Sequence, residues 1–560
     1  MNEEPKFSAL DRQFGDFLRR LAGGMAAEEV RLAAMCTSRA RAEGHACITL
    51  VEIAASDGAP SAATLRKKLR ASQVVGAPGD FTPLVLDLQD RLYLRRYWEY
   101  EQQLAAGILS RTTTHDSSSL GNEDDLQQAA AARAATENFT VITGSPGTGK
   151  TRTVMKILKL LLDQPGGDAL RIALAAPTGK AAARLTESVR QVRQNLAATT
   201  IHRLLGYLPG SPYFRHDGEH LLAHDVVIVD EASMVDLALM AKLVAAVRPE
   251  ARLILLGDRD QLASVEAGSV LADICAAAEE AKPNEPLHGA VVALQRNYRF
   301  AETGAIFLVS SAVNAGNADA AIGALQGNVD GEARWQPLPS ATKLRDALRE
   351  QLIAAFRPVL ETEDPLEALR RLQQFRILCA VRHGPFGVEN LNAIAEEVLA
   401  AAGLITPQRP CYRGQPLTVT QNDYNLGLFN GDSGIILPDP EGDSELRAFF
   451  VSAEDKLRRF LPSRLPQHEK AFAMTVHKSQ GSEFDRILLI LPERDSPLLA
   501  RELLYTAITR ARQHVEIWAA EEVLRAAISR QITRRSGLRD ALRGLDLSGK
   551  SESRQSGSNR

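Results

Sequence analysis

Two long stretches of the chain alternate short apolar runs with amphipathic segments. From residue 140 the runs FTVITG, RIALAAP, DVVIVDE and RLILLGD are each followed by apolar positions at helical spacing. That alternation predicts a parallel sheet covered by helices on both faces. A second series begins near 375 with FRILCAV and resumes with RILLILP and HVEIWAA. Between its parts, PLTVTQNDYNLGLFNGDSGIIL carries strand-like pieces broken by Gly and Asn-Gly turns, which predicts a small all-β insertion.

The N-terminal region has a different pattern. Leu10, Phe14, Phe17, Leu18 and Leu21 recur at helical spacing and predict a helix with one buried face. A second helix is expected over 26–42, a strand over CITLVE, and a last helix over RLYLRRYWEYEQQLAAGIL. Tyr93, Tyr97, Trp98 and Tyr100 gather in that last segment. Spacing alone favours core packing for them, and a docking face for another subunit stays open. The expected division is an N-terminal domain over 1–110, a polar linker over 111–125 and a first α/β domain over 126–275. The second α/β domain follows as 276–409 and 466–547, split by the insertion at 410–465. A disordered tail closes the chain at 548–560.

Composition narrows the class. Hydrophobic residues make up 45% and charged residues 24%, which excludes a wholly disordered chain. No apolar run approaches the roughly 18 residues that span a bilayer, and MNEEPKFSALDRQF lacks the apolar core of a secretory signal. A membrane partner is therefore not expected. Lys and Arg total 66 against 69 Asp and Glu, so polycation behaviour is excluded, while a local basic groove is not. The five cysteines are scattered without CxxC spacing, which favours buried thiols over disulfides or a zinc site.

The chemistry starts at Gly144-Ser145-Pro146-Gly147-Thr148-Gly149-Lys150-Thr151. This run fits G-x-x-x-x-G-K-[ST], follows a strand and opens a helix. Glycines let the backbone wrap a phosphate, and the helix N-terminus adds positive potential. Lys150 would reach the β- and γ-phosphates, and the Thr151 hydroxyl would hold Mg²⁺. Asp230 and Glu231 end the VVIV run, at the strand end where ligands collect in open α/β sheets. Asp230 would bind Mg²⁺ through water, and Glu231 would orient and deprotonate the attacking water. Asp258 and Gln261 end the next run, with Gln261 placed to contact the γ-phosphate. Arg299 and Arg510, outside the first unit, are candidate arginine fingers. Fingers on one domain and a phosphate loop on the other would make cleft closure depend on ATP. Three further loops, in APTGKAAARL, TTIHRLLG and MTVHKSQGSEFDR, combine Thr, Ser, His and Lys with Gly, residues that bond phosphates and sugars.

In this order GSPGTGKT, APTGKAAARL, TTIHRLLG, VIVDEAS, LLGDRDQL, NYRF, VHKSQGSEF and YTAITRAR resemble the superfamily 1 DNA helicases. The wording is most similar to the RecD family, the alpha subunits of exodeoxyribonuclease V. LDRQFGDFLRRLAG, GHACITL and YLRRYWEYE also look like the N-terminal module of that family, which docks onto RecC. The resemblance implies an α/β fold with two RecA-like P-loop NTPase motor domains, a small helical N-terminal domain and an SH3-like insertion in the second. It implies that Gln127 contacts adenine and Glu483 the ribose. Thr178, Lys180, His202, His477, Lys478, Ser479 and Gln480 become DNA contacts. ATP and Mg²⁺ are the implied cofactors. Single-stranded and duplex-end DNA and RecB-like and RecC-like subunits are the implied partners. The implied role is a cytoplasmic 5′→3′ helicase of bacterial double-strand break repair and recombination, without a nuclease of its own. A stand-alone RecD-like helicase, a regulatory P-loop ATPase and an idle assembly subunit remain as alternatives.

Overall fold

The structure, a computed structural model, describes residues 7–112 and 126–544, apart from 209, 301–302, 328–330, 408–410, 424, 443 and 452–455. Most of the expected linker and all of the expected tail lie outside the described residues.

The first lobe is built on six parallel strands. Their order is Val291–Leu294, Phe139–Gly144, Arg252–Gly257, Val226–Val229, Ile172–Ala176 and Ala198–Thr200. Both sheet faces are covered. Val141, Val227, Leu253 and Leu255 feed one apolar cluster, while Ile142, Ile228, Ile254 and Leu256 feed the other. Double burial is the reason VVIV and LILL read as continuous apolar runs rather than as alternating ones. The first strand in this order lies beyond residue 275, where the sequence places the domain boundary. Val291–Leu294 is too short to stand out in the sequence, but it pairs in register with Val141–Gly144.

The second lobe has five parallel strands, ordered Ala333–Gln336, Ala511–Trp518, Phe484–Ile490, Phe375–Cys379 and Ala473–Thr475. The insertion is a five-stranded antiparallel sheet. Its edge strand, His468–Lys470, pairs with Leu417–Val419 and so carries the insertion past the expected end at 465.

The N-terminal region contains the two expected helices, Ala9–Ala22 and Ala27–Ala42, and also a four-stranded sheet. The first helix is set by a capping box, in which Asp11 N–H donates to Ser8 Oγ at 3.1 Å and Ser8 N–H to Asp11 Oδ2 at 2.8 Å. CITLVE stays extended only over Cys47–Thr49. There Thr49 and Glu52 form a second capping box and the chain turns helical. Arg91–Leu94 is a strand rather than the start of the last helix, since it pairs with strands on both sides. Tyr93 is fully buried in it.

The helix Arg95–Leu109 packs on the first lobe, with Leu104, Ala105 and Ile108 in the same cluster as Met240, Leu243 and Val244. A domain ending at 110 therefore cuts through this packing. The chain's last described segment returns to the same place. Leu538 and Leu542 join that cluster. Fully buried Glu101 accepts from Ser536 Oγ at 2.9 Å and from the Gly537 N–H at 3.0 Å. Burial pushes the Glu101 carboxyl up to about 8. Four cysteines are buried and all five are free thiols. Among the described residues no helix is long and apolar enough to cross a membrane.

Candidate nucleotide and nucleic-acid site

The phosphate loop joins Phe139–Gly144 to the helix Lys150–Leu162. Gly147 and Gly149 have φ of 89° and 83°, left-handed values that side chains resist. Gly147 is also crowded, because an added Cβ would lie 2.6 Å from Arg299 Cβ and 2.7 Å from Asn297 Oδ1. The segment NYRF folds over the loop here. Tyr298 N–H donates to the Gly147 carbonyl at 2.8 Å, and Asn297 Nδ2 donates to the Pro146 carbonyl at 2.9 Å. Lys150 Nζ donates to the Gly144 and Ser145 carbonyls at 2.6 and 3.1 Å. Thr148 Oγ1 donates to the Ser145 carbonyl at 2.8 Å. Gln127 is buried and donates to the Thr148 carbonyl at 3.0 Å, which sets its side chain against the loop.

A cavity of about 340 Å³ opens between the lobes over this loop. Lys150, Thr151, Asp230, Glu231 and Gln261 line it from the first lobe, and Arg299, Glu483 and Arg510 close its other side. Burial, then the neighbouring Glu231 charge, push the Asp230 carboxyl up. Glu231 has φ 53°, a left-handed conformation that costs a non-glycine residue about 1–3 kcal/mol and gathers at functional sites. Gln261 Nε2 donates to Asp258 Oδ2 at 3.0 Å, and Tyr505 of the second lobe donates to the same oxygen at 3.0 Å.

Both arginines face the cavity. Arg510 is 2% exposed. Arg299 donates to Glu483 Oε1 at 2.6 Å, and its Nη1 is buried with no hydrogen-bond partner among the described residues. Burial alone would raise the Glu483 pKa, but Arg184 and Arg299 outweigh it and hold the carboxyl well below the usual range.

Among the described residues no cluster of three His, Cys, Asp or Glu side chains could hold a metal alone. The Thr151 hydroxyl and Asp230 carboxylate instead offer two oxygen ligands on one cavity. That set fits Mg²⁺, which completes its shell with water and substrate phosphate.

The candidate strand contacts divide into two groups. Thr178, His202, His477 and Lys478 are partly accessible, with His202 edge-on to Phe214 at 5.6 Å. Lys478 is paired with Glu469. Lys180 is partly accessible as well, while Ser479 and Gln480 are buried. Ser479 is fully buried and donates to the Val476 carbonyl at 2.7 Å. Gln480 donates to the Leu262 carbonyl at 2.8 Å, and Lys180 Nζ to Ser482 Oγ at 2.7 Å. These two contacts join the lobes.

Residues 3–93 match the family described as RecBCD enzyme subunit RecD, N-terminal domain. Residues 127–267 match an AAA domain, and 470–517 a UvrD-like helicase C-terminal domain. The chain is 41% identical to the RecBCD enzyme subunit RecD of Mycobacterium tuberculosis (strain H37Rv), over 92% of each chain. The chain belongs to the RecD family. The RecD subunit of Mycolicibacterium smegmatis is 40% identical over 92% of this chain and 94% of its own. A Pif1 helicase from Bacteroides, solved in complex with ADP-AlF3 and ssDNA, is 18% identical with a TM-score of 0.40, over 77% of this chain and 99% of that one.

Relative to its RecD-family motifs, the sequence reading passed over three residues. Asn297, the first residue of NYRF, is the staple that fixes that segment on the phosphate loop. Tyr505 reaches across to Asp258. Arg184 lines the cavity and pairs with Glu483 at 3.0 Å. The spacing of Lys180 and Arg184, four apart on one helix, was the available signal for the last.

Proposed function

We infer that this chain is an ATP-dependent DNA helicase and translocase, the RecD subunit of a RecBCD-type exodeoxyribonuclease V acting in double-strand break repair and recombination. One observation carries the motor reading: the phosphate loop of one parallel-sheet lobe, Arg299 on the segment that leaves that lobe, and Arg510 of the other lobe line a single cavity. Lys150 neutralises the transferred phosphate, and Glu231 orients the attacking water and takes its proton. Arg299 and Arg510 stabilise the charge that develops as the bond breaks. Gln261, on the cavity wall, contacts the γ-phosphate in this reading. Mg²⁺, held by Thr151 and Asp230, would neutralise the β- and γ-oxygens. Gln127 and Glu483 remain the proposed adenine and ribose contacts.

Hydrolysis opens and closes the cleft, and the loops at Thr178, His202, His477 and Lys478 pass the strand along. Movement is 5′→3′ in this reading. Single-stranded and duplex-end DNA are the substrates, and RecB-like and RecC-like subunits the partners, with the N-terminal region docking to the RecC-like one. The antiparallel insertion serves as the SH3-like module. The enzyme works in the cytoplasm on chromosomal DNA and leaves cutting to its partner.

The deciding experiment is unwinding of duplexes bearing a 5′ or a 3′ overhang, by the assembled complex, with and without ATP. Opening only from the 5′ overhang is expected. ATP hydrolysis that single-stranded DNA does not stimulate would instead favour a regulatory ATPase.

A further inference from the structure

The helix Gly179–Val189 spans the distance between the two proposed sites of the motor. Its N-cap is the strand-contact candidate Thr178, whose Oγ1 accepts from the Ala181 N–H at 3.2 Å. Lys180, in the first turn, donates to Ser482. Arg184 stands one turn further on the same face, donates to the Gly481 carbonyl at 3.2 Å and pairs with Glu483. One first-lobe helix thus grips three consecutive residues of the second lobe.

The grip on Glu483 is shared. Arg184 approaches Glu483 Oε1 at 3.0 Å, and Arg299 approaches the same oxygen at 2.6 Å. Arg512 takes the other oxygen at 3.2 Å. A carboxylate oxygen that serves two guanidinium groups holds each less firmly than it would hold one. Arg299 also lines the cavity, and its Nη1, buried without a hydrogen-bond partner among the described residues, is open to a nucleotide phosphate there.

We propose that Arg184 is a positioning residue for hydrolysis. It competes with Arg299 for Glu483 Oε1, so a shift of its helix by DNA at Thr178 changes how readily Arg299 turns to the γ-phosphate. Arg184 thereby couples strand binding to ATP turnover. This rests on the helicase reading above.

The test is steady-state ATP hydrolysis by the full chain in complex with its partners, against ATP concentration, with and without a single-stranded oligonucleotide. Arg184→Gln is expected to lower the strand-stimulated kcat roughly tenfold, with KM for ATP changed by less than about threefold. Arg184→Lys restores most of the stimulation. Adding Arg184→Gln to Glu483→Gln lowers the rate no further than Glu483→Gln alone. Arg184→Met, which keeps the unbranched stem, stands in if the Gln variant does not fold, with the same expectations. Full stimulation in the variant, or a raised KM at unchanged kcat, would overturn the proposal. A wild-type chain whose hydrolysis ignores the oligonucleotide would instead sink the helicase reading, so the two failures are distinct.

Discussion

The Gln480 side chain in the second lobe donates to the backbone carbonyl of Leu262 in the first, at 2.8 Å. Leu262 itself is buried in the apolar core of the second lobe, and its N–H donates to Thr506 Oγ1 at 2.9 Å. The segment that carries Gln261 to the cavity is thus fastened across the cleft by three contacts. Gln480→Ala would leave a buried carbonyl unsatisfied, at a cost of about 1–3 kcal/mol. A lowered thermal midpoint is expected, together with weaker strand stimulation of ATP hydrolysis. An unchanged midpoint would mean that the contact is incidental.

Lys150→Gln should abolish ATP hydrolysis while leaving folding and assembly intact, because Lys150 makes only loop contacts in the cavity. Arg510→Ala should lower kcat by about 10³-fold, the lower end of what a finger supplies. Rate measurements on both, with gel filtration for assembly, check this. Loss of assembly in the Lys150 variant would refute a purely catalytic role.

Asp230 gives a pH signature. Its folded pKa is raised by burial and by Glu231, above the value in the unfolded chain. Ionising it therefore costs stability, and the cost appears as pH rises past the ordinary carboxylate range. Asp230→Asn should melt higher than the wild type at neutral pH, with the gap closing towards pH 4, while its Mg²⁺-dependent hydrolysis is lost. A lower melting point at neutral pH would contradict the carboxylate-pair account.

Glu101 predicts a second pH effect, remote from the cavity. Its carboxyl is raised to about 8, so the folded chain binds this proton more tightly than the unfolded one. Stability from this group is greatest in acid and is lost as pH rises from the ordinary carboxylate range to about 8. Glu101→Gln should raise the thermal midpoint at pH 8.5 by a few degrees and change it less at pH 5. Equal shifts at both pH values would assign the effect to packing instead.

The first helix leaves Leu10, Phe17 and Leu21 at least half exposed along one side. Leu18, between them in sequence, is fully buried. Changing all three exposed residues to Ser should abolish association with a RecC-like partner without lowering the melting point. Retained association on a sizing column would remove this face from the docking reading.

The two parallel sheets were legible because their strands are buried on both faces and so read as short continuous apolar runs between amphipathic segments. The phosphate loop was legible because its glycines and Lys150 are fixed by local backbone geometry. The sequence was least informative where pairing decides. Arg91–Leu94 and Val291–Leu294 are short, and only distant neighbours make them strands. Interlobe contacts were equally hidden. Lys180 and Gln480 have the residue types of strand contacts, and nothing local says that Ser482 and Leu262 claim them.

The return of the terminal helix to the Glu101 neighbourhood has a mechanical consequence. The second lobe is moored to the first at both ends of its own sequence, once near Leu294 and again through Leu538. A body fixed at two points can pivot about the line between them but cannot drift away. The stretch between Arg530 and Gly537 is itself held, with Arg534 Nη1 donating to the Gly268 carbonyl at 3.0 Å and the Ala46 N–H to the Arg535 carbonyl at 2.8 Å, so a working stroke has to be accommodated without freeing either mooring.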